Sequence, residues 1–415
     1  MRFAAFTVGT RGDVQPYVAL LRGLQARGHT VTLASHPGMQ TLVEAHGVPF
    51  APIGPDVDVG RAAAALRGRS RNWILGFVRV MQFTLSVLEK AAPDILALCR
   101  DADLVVVSHS FAGAAEAAKL NKPTVSVTLQ HQAIPTPEPA PAVFERVARA
   151  VAARFMGLLM VRPYNWLRRK IGAPRVKTVE EMMSPHLNLL PISPHVVPRD
   201  PRWASQHRLT GYWFLDEPEN WRPPADLQTF LEAGAAPVAI ALGAMSSGEH
   251  ADARETVQLI LDAVCRVGAR AVIQGWEKTL QAFDLPPTIH PAGALPHSWL
   301  FKHVTAVVHH GGFGTTAAAL RAGVPSVVVP HIIDQLYWGE RVDTLGVGPA
   351  ALRRTRLSAD KLAQALQEAL HDRELRTRAA ELSAQIRAET GVRNAVQLIE
   401  STLTHLKKGG GTSDF

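Results

Sequence analysis

Cysteine is nearly absent. Cys99 and Cys265 are the only two in 415 residues, and they sit in unrelated contexts. That excludes a disulfide framework and fits a reducing compartment. Long apolar runs are missing as well: none approaches the roughly 20 residues that a membrane-spanning helix needs. The apolar start gives way at once to Gly9-Thr10-Arg11-Gly12-Asp13, too early for the core of a signal peptide. These absences lead to the expectation of a cytoplasmic protein, soluble or peripheral to the membrane. Zinc-finger spacings, the aromatic-basic motif of RNA-binding sheets and any basic tail beyond Lys407-Lys408 are also lacking. Nucleic acid is therefore not an expected partner. The excess of 44 basic over 36 acidic residues, formally +8, points instead to an anionic ligand or an anionic membrane surface.

What is present suffices for two domains, since 47% of the residues are apolar. The first third alternates strand and helix. Residues 2–8, 30–34, 103–107 and 124–129 read as strands; 14–27, 39–46 and 112–120 read as helices. A second series places strands at 237–242, 270–274, 288–291, 306–309 and 326–329, with Ser358 as the N-cap of a later helix. Such alternation predicts α/β architecture with doubly wound parallel sheets. The expected division is a first domain over 1–205, a Trp- and Pro-rich linker over 206–225 and a second domain over 226–385. A C-terminal helix over 386–406, with the option of packing back on the first domain, and a flexible tail over 407–415 complete it. Ligands of open parallel sheets sit beyond the carboxyl ends of the strands.

The most informative segment is Val307-Val308-His309-His310-Gly311-Gly312-Phe313-Gly314-Thr315-Thr316. A β-rich run ends in glycines, and a helix of small residues begins. Glycines admit close backbone approach, and the first helical N–H groups lie at the positive end of the dipole. This is a place for a phosphate or diphosphate. Two other readings stand beside it. One is an ordinary tight strand-to-helix turn. The other is a dinucleotide fingerprint, Gly312-x-Gly314-x-x-Ala317 with Asp334 about 20 residues on. The latter's acid should end the next strand, whereas Asp334 lies past a proline.

With these residues the chain resembles the family-one glycosyltransferases, which have two facing Rossmann-like domains (the GT-B type) with a cleft between them. Among these it is similar to sterol glucosyltransferases and bacterial antibiotic glycosyltransferases. The matching segments run through the chain in the family's order: Gly9 to Pro16, Arg27 to Ala34, Thr210 to Phe214, Leu295 to Phe301, His309 to Gly323, and Asp334-Gln335. The resemblance implies a nucleotide sugar as co-substrate, UDP-glucose first among candidates, and no other cofactor. It also implies roles. Leu295 to His297 would meet the uracil. His310, Gly312, Gly314 and Thr315 would hold the diphosphate, with Ser246 and Ser247 facing it from the other side. Asp334 and Gln335 would bind the sugar hydroxyls. The sequence departs from plant relatives at Ala318, where a Glu usually holds the ribose, and at Phe313, which is larger than the residue usual in bacterial members.

Asp13 stands where the first strand opens, and it is the candidate general base that takes the acceptor's proton. A capping role at the helix start is the equal rival on sequence alone; the resemblance favours the base. His109 and His131, each just beyond an expected strand, rank below it. Asp56-Val57-Asp58 is superficially like a metal-binding Asp-x-Asp but reads as solvated loop acid. His309 and His310 alternate across a strand and so do not make a metal pair. No metal site is expected.

Residues 62–98 and 143–171 are expected to serve an apolar, hydroxyl-bearing acceptor. The second stretch is basic and amphipathic. Peripheral membrane contact and a plain core helix with a charged outer face are both open readings. Beside the glycosyltransferase stand a sugar-nucleotide epimerase of the same fold and a nicotinamide-dependent oxidoreductase.

Overall fold

The computed structural model describes residues 1–57, 62, 66, 73–108, 110–134, 154, 157–243, 253–331 and 333–409. The chain divides into two compact units. Unit 1 is Met1–Trp213 together with the segment from Thr390 onward, and unit 2 is Phe214–Glu389.

Unit 1 is built on a seven-stranded sheet, β1 (Arg2–Phe6), β2 (Thr30–Ser35), β3 (Phe50–Pro52), β4 (Leu104–Val107), β5 (Thr124–Val127), β6 (Asn188–Leu190) and β7 (His207–Leu209). The order is β3-β2-β1-β4-β5-β6-β7, with every pairing parallel. Its helices are α1 (Arg11–Gln25), α2 (Gln40–Glu44), α3 (Trp73–Asp101), α4 (Ala114–Lys119), α5 (Arg162–Ile171) and α14 (Gly391–Gly409). Helix α1 shows the cause of the layering. Val14, Val18, Leu21 and its neighbours recur on one face and are fully buried, each such side chain contributing about 1.5–3 kcal/mol.

Unit 2 carries a five-stranded parallel sheet, β8 (Val238–Ala241), β9 (Ala271–Gln274), β10 (Ile289–Ala292), β11 (Ala306–His309) and β12 (Ser326–Val328), in the order β10-β9-β8-β11-β12. Successive residues serve opposite layers. Val238 and Ile240 join one core, while Ala239 and Ala241 join the other. Both faces are therefore covered, and the central strand β8 reads as an unbroken apolar run, Val238-Ala239-Ile240-Ala241. The helices are α6 (Ala225–Glu232), α7 (Ala253–Val267), α8 (Glu277–Leu280), α9 (His297–Leu300), α10 (Phe313–Ala322), α11 (Ile333–Thr344), α12 (Ala359–His371) and α13 (Arg373–Ala388). Ser358 caps α12, its hydroxyl accepting from the Lys361 N–H at 3.3 Å.

Three differences from the sequence reading have physical causes. Helix α1 begins at Arg11, not at residue 14, because Thr10 is its N-cap. Helix α4 begins at Ala114, since Phe111 (φ 60°) and Gly113 (φ 86°) both turn left-handed before it. The residues expected as linker begin with a strand. β7 pairs with β6, and a buried polar chain binds the edge: Ser126 Oγ and Thr128 Oγ1 donate to Asn188 Oδ1 at 2.7 and 2.9 Å, and Asn188 Nδ2 lies 3.0 Å from His207 Nδ1. The unit boundary falls inside that stretch, between Trp213 and Phe214.

Helix α14 belongs to unit 1. Glu400 pairs with Arg27 and His29, and Asn394 Nδ2 donates to the Thr210 carbonyl at 2.9 Å. Gly391 sits where a Cβ would come within 2.3 Å of the Tyr212 carbonyl, so only glycine lets the helix approach the Thr210–Tyr212 turn this closely.

Candidate functional site

Each sheet reverses its strand order once, between β1 and β4 in unit 1 and between β8 and β11 in unit 2. These are the positions where open α/β sheets bind ligands. The histidine-glycine segment leaves β11 at the second of them. Gly311 takes φ +82°, and Gly312 is the N-cap of α10. The first N–H of α10 to bond back is that of Thr316, to the Gly312 carbonyl at 2.9 Å. The amino end of a helix is the positive end of its dipole, where backbone N–H groups can meet an anion.

His310 is held between two glycines. A Cβ on Gly243, in the loop leaving β8, would lie 2.7 Å from its Cε1, and one on Gly312 would lie 2.3 Å from its Nε2. Burial moves the His310 pKa below the ordinary histidine value, with the Ala241 carbonyl partly offsetting. The ring is thus neutral at neutral pH and able to donate one N–H. Thr315 is buried at the helix start. Gly311 presses against the first turn of α11, since its Cβ would meet the Gln335 carbonyl and Val328 Cγ1, each at 2.8 Å. That contact brings Asp334 and Gln335 to the cradle. The Gln335 side chain is buried and oriented by its Oε1, which accepts the His331 N–H at 2.7 Å.

Gln274, which ends β9, holds the other wall. Its Nε2 donates to the Leu295 carbonyl at 3.1 Å, and its Oε1 lies 3.1 Å from His297 Nε2. The His297 ring stacks on Phe301 with centroids 4.6 Å apart. His331, just past β12, lies with Nδ1 3.1 Å from Arg354 Nη1. Burial, then Arg354 and His310, push its pKa down to about 4. Gln274 and His331 were missed in the sequence, though each follows or ends a strand at the ligand-binding end of the sheet. Ala318 is half-buried on α10. Phe313 packs on Trp338 with centroids 5.8 Å apart. β12 ends in Ser326-Val327-Val328, and Asp334 lies in the first turn of α11, so the acid that a dinucleotide ribose needs at the strand end is not there.

In unit 1, Asp13 follows β1 and is the third residue of α1. Its Oδ2 accepts from the Thr10 N–H at 2.7 Å and the Thr10 hydroxyl at 2.9 Å. This is a capping-box position, with Thr10 and not Asp13 as the N-cap. Gly9 makes room for the carboxylate, as a Cβ there would lie 2.4 Å from Asp13 Oδ2. His131 begins a short 3₁₀ turn beyond β5, 6.2 Å from the Trp203 ring. His109, Ser246, Ser247 and Asp58 lie outside the described residues. Among the described residues no three His, Cys, Asp or Glu side chains are placed to hold a metal ion, and no helix is long and apolar enough to cross a membrane.

The glycosyltransferase family 28 N-terminal domain matches residues 3–125, and the erythromycin biosynthesis protein CIII-like C-terminal domain matches residues 258–401. The solved glycotransferase of kitacinnamycin superposes with a TM-score of 0.74 at 21% identity, over 97% of this chain and 99% of that one. The glycosyltransferase VinC in complex with dTDP gives 0.72 at 21% identity, over 97% and 100%. The chain has the GT-B glycosyltransferase fold. A sterol 3-beta-glucosyltransferase of Neosartorya fischeri is 33% identical to the GT-B chain over 442 residues, covering 98% of the chain and 30% of that protein. The GT-B chain therefore spans about 30% of the length of this curated relative.

Proposed function

We propose that this chain is an inverting glycosyltransferase that moves glucose from UDP-glucose to a hydroxyl of an apolar small molecule or lipid, such as a sterol or polyketide, without a metal ion. The observation that carries the reading is the His310–Thr315 cradle at the strand-order reversal of unit 2, packed against the turn that bears Asp334 and Gln335. The acceptor oxygen attacks the anomeric carbon as Asp13 takes its proton. The bond from that carbon to the diphosphate oxygen breaks, and the electron pair leaves with UDP. The positive end of α10 and the His310 N–H stabilise the departing charge. Asp334 and Gln335 hold the sugar hydroxyls, and the Leu295–His297 segment holds the base. The relatives and solved structures named above are all glycosyltransferases, which gives the epimerase reading no support.

Thermal unfolding with UDP, dTDP, UDP-glucose and NADH tests this. UDP at 100 times its Kd should stabilise by ~2.7 kcal/mol. Asp334→Ala should keep UDP binding while losing preference for UDP-glucose, and turnover should persist in excess EDTA. Stabilisation by NADH without UDP, or equal loss of UDP and UDP-glucose in the variant, would remove the donor assignment. Turnover abolished by EDTA and restored by Mg²⁺ or Mn²⁺ would remove the metal-free mechanism.

An anionic membrane surface is the second partner that the sequence left open, and a helix face favours it. Among the described residues from 157 to 170 the exposed side chains are Leu158, Arg162, Trp166, Arg169 and Lys170. On α5, Arg162, Trp166, Arg169 and Lys170 recur at spacings of three and four and share one side. Val161, Tyr164 and Leu167 face the core, so the plain core reading accounts for the inner side. It does not account for Leu158 and Trp166, 46% and 39% exposed. Cosedimentation with vesicles should show binding to anionic lipid that weakens with salt, and Arg162→Glu with Arg169→Glu should abolish it. No binding, or equal binding to neutral vesicles, counts against the assignment.

A further inference from the structure

His309 ends β11 and is fully buried. It is adjacent to the cradle, yet its surroundings are core. Burial first, then the nearby His310 and His297, push its pKa down to about 3, so the ring is neutral. A neutral imidazole carries one ring proton. Nδ1 accepts the Gly311 N–H at 3.0 Å, so the proton is on Nε2. Nε2 has no partner among the described residues. The fold thus tolerates a buried, unpartnered donor on one side of the ring, which is costly, while the other side grips a backbone amide two residues on.

That amide belongs to the pivot of the cradle. Gly311 is left-handed and wedged between Val328 Cγ1 and the Gln335 carbonyl. Its conformation sets the direction in which His310 leaves β11 and in which Gly312 enters α10. We propose that His309 is a positioning residue for nucleoside diphosphate binding: its Nδ1 locks the Gly311 turn, and the turn aims the His310 ring and the amino end of α10 at the diphosphate. The inference rests on the diphosphate-donor reading above. It adds a residue that touches no substrate itself.

The alternative is that His309 merely fills space, and two substitutions separate the roles. Asparagine can accept the same N–H two residues on, as an Asx turn does, but is smaller than imidazole. Leucine fills apolar volume but accepts nothing. UDP affinity of the full chain, measured by calorimetry, should fall ~10-fold or more in His309→Leu, and His309→Asn should restore it to within about threefold of wild type. Circular dichroism controls for folding. A space-filling role gives the reverse order, with the leucine variant binding normally and the asparagine variant melting lower; that result overturns the inference. If His309→Leu does not fold, His309→Gln replaces it. Its carbonyl stands one methylene too far out for the same turn, so weakened UDP binding is expected and unchanged binding overturns the proposal. A wild-type chain that binds no nucleoside diphosphate would instead remove the donor reading.

Discussion

Asp13→Asn is expected to slow transfer to an alcohol by roughly two to four orders of magnitude, the usual contribution of a positioned general base. The substitution is well controlled by the structure. Asp13 Oδ2 accepts from the N–H and hydroxyl of Thr10, and an asparagine carbonyl can accept both. The start of α1 should therefore survive, and even full loss of a cap costs only about 0.5–2 kcal/mol. The proposed donor residues belong to unit 2, while Asp13 belongs to unit 1, so UDP affinity should stay near the wild-type value. A phenol or thiol acceptor, which sheds its proton more easily, should suffer less than an alcohol. The measurement is kcat on one acceptor of each kind, with UDP binding as the folding control. Near-normal turnover on the alcohol would leave Asp13 as a capping residue alone, and His131 and His109 would become the next bases to test.

His310→Ala should lower kcat by about 10²–10³-fold at saturating donor, the scale found when one preorganised donor to a developing oxyanion is removed. The ring occupies space that Gly243 and Gly312 leave open, so alanine empties the slot without forcing a backbone shift. Held neutral by burial, the ring serves as a hydrogen-bond donor and not as a fixed cation. UDP affinity should fall as well, because the same donor meets the bound diphosphate. Steady-state kinetics alongside UDP titration will show whether the loss is larger in kcat, as stabilisation of a leaving group requires. A kcat within threefold of wild type would remove His310 from the mechanism.

Much of this was legible in the sequence because the chemistry is local. β11 was expected at 306–309 and spans Ala306–His309, since a buried parallel strand must be an apolar run and glycine must end it. The turn that carries the glycines into α10 was legible for the same reason. Strands β6 and β7 were not. Each has three residues, and the inward groups of Asn188 and His207 look like loop residues until Ser126 and Thr128 are placed beside them by the fold. Asp13 shows a different limit. Thr10 and Asp13 have capping-box spacing, but two glycines disguised the helix start. Gln274 and His331 act through partners 21 and 23 residues away, a distance that no periodicity reveals.

The placement of α14 fixes an order of assembly. Unit 2 is one continuous stretch, but unit 1 is interrupted by it and resumes at Thr390. During synthesis from the amino end, unit 2 has all its residues once Glu389 emerges, while the unit begun first must wait. Until then the face of α1 that meets α14 has no cover, and Gly23, whose added Cβ would strike Val392, has no neighbour to receive. A fragment ending at Trp213 would carry the whole seven-stranded sheet and still present that bare face to water, so the first unit can be excised cleanly only with residues 390–409 joined back to it.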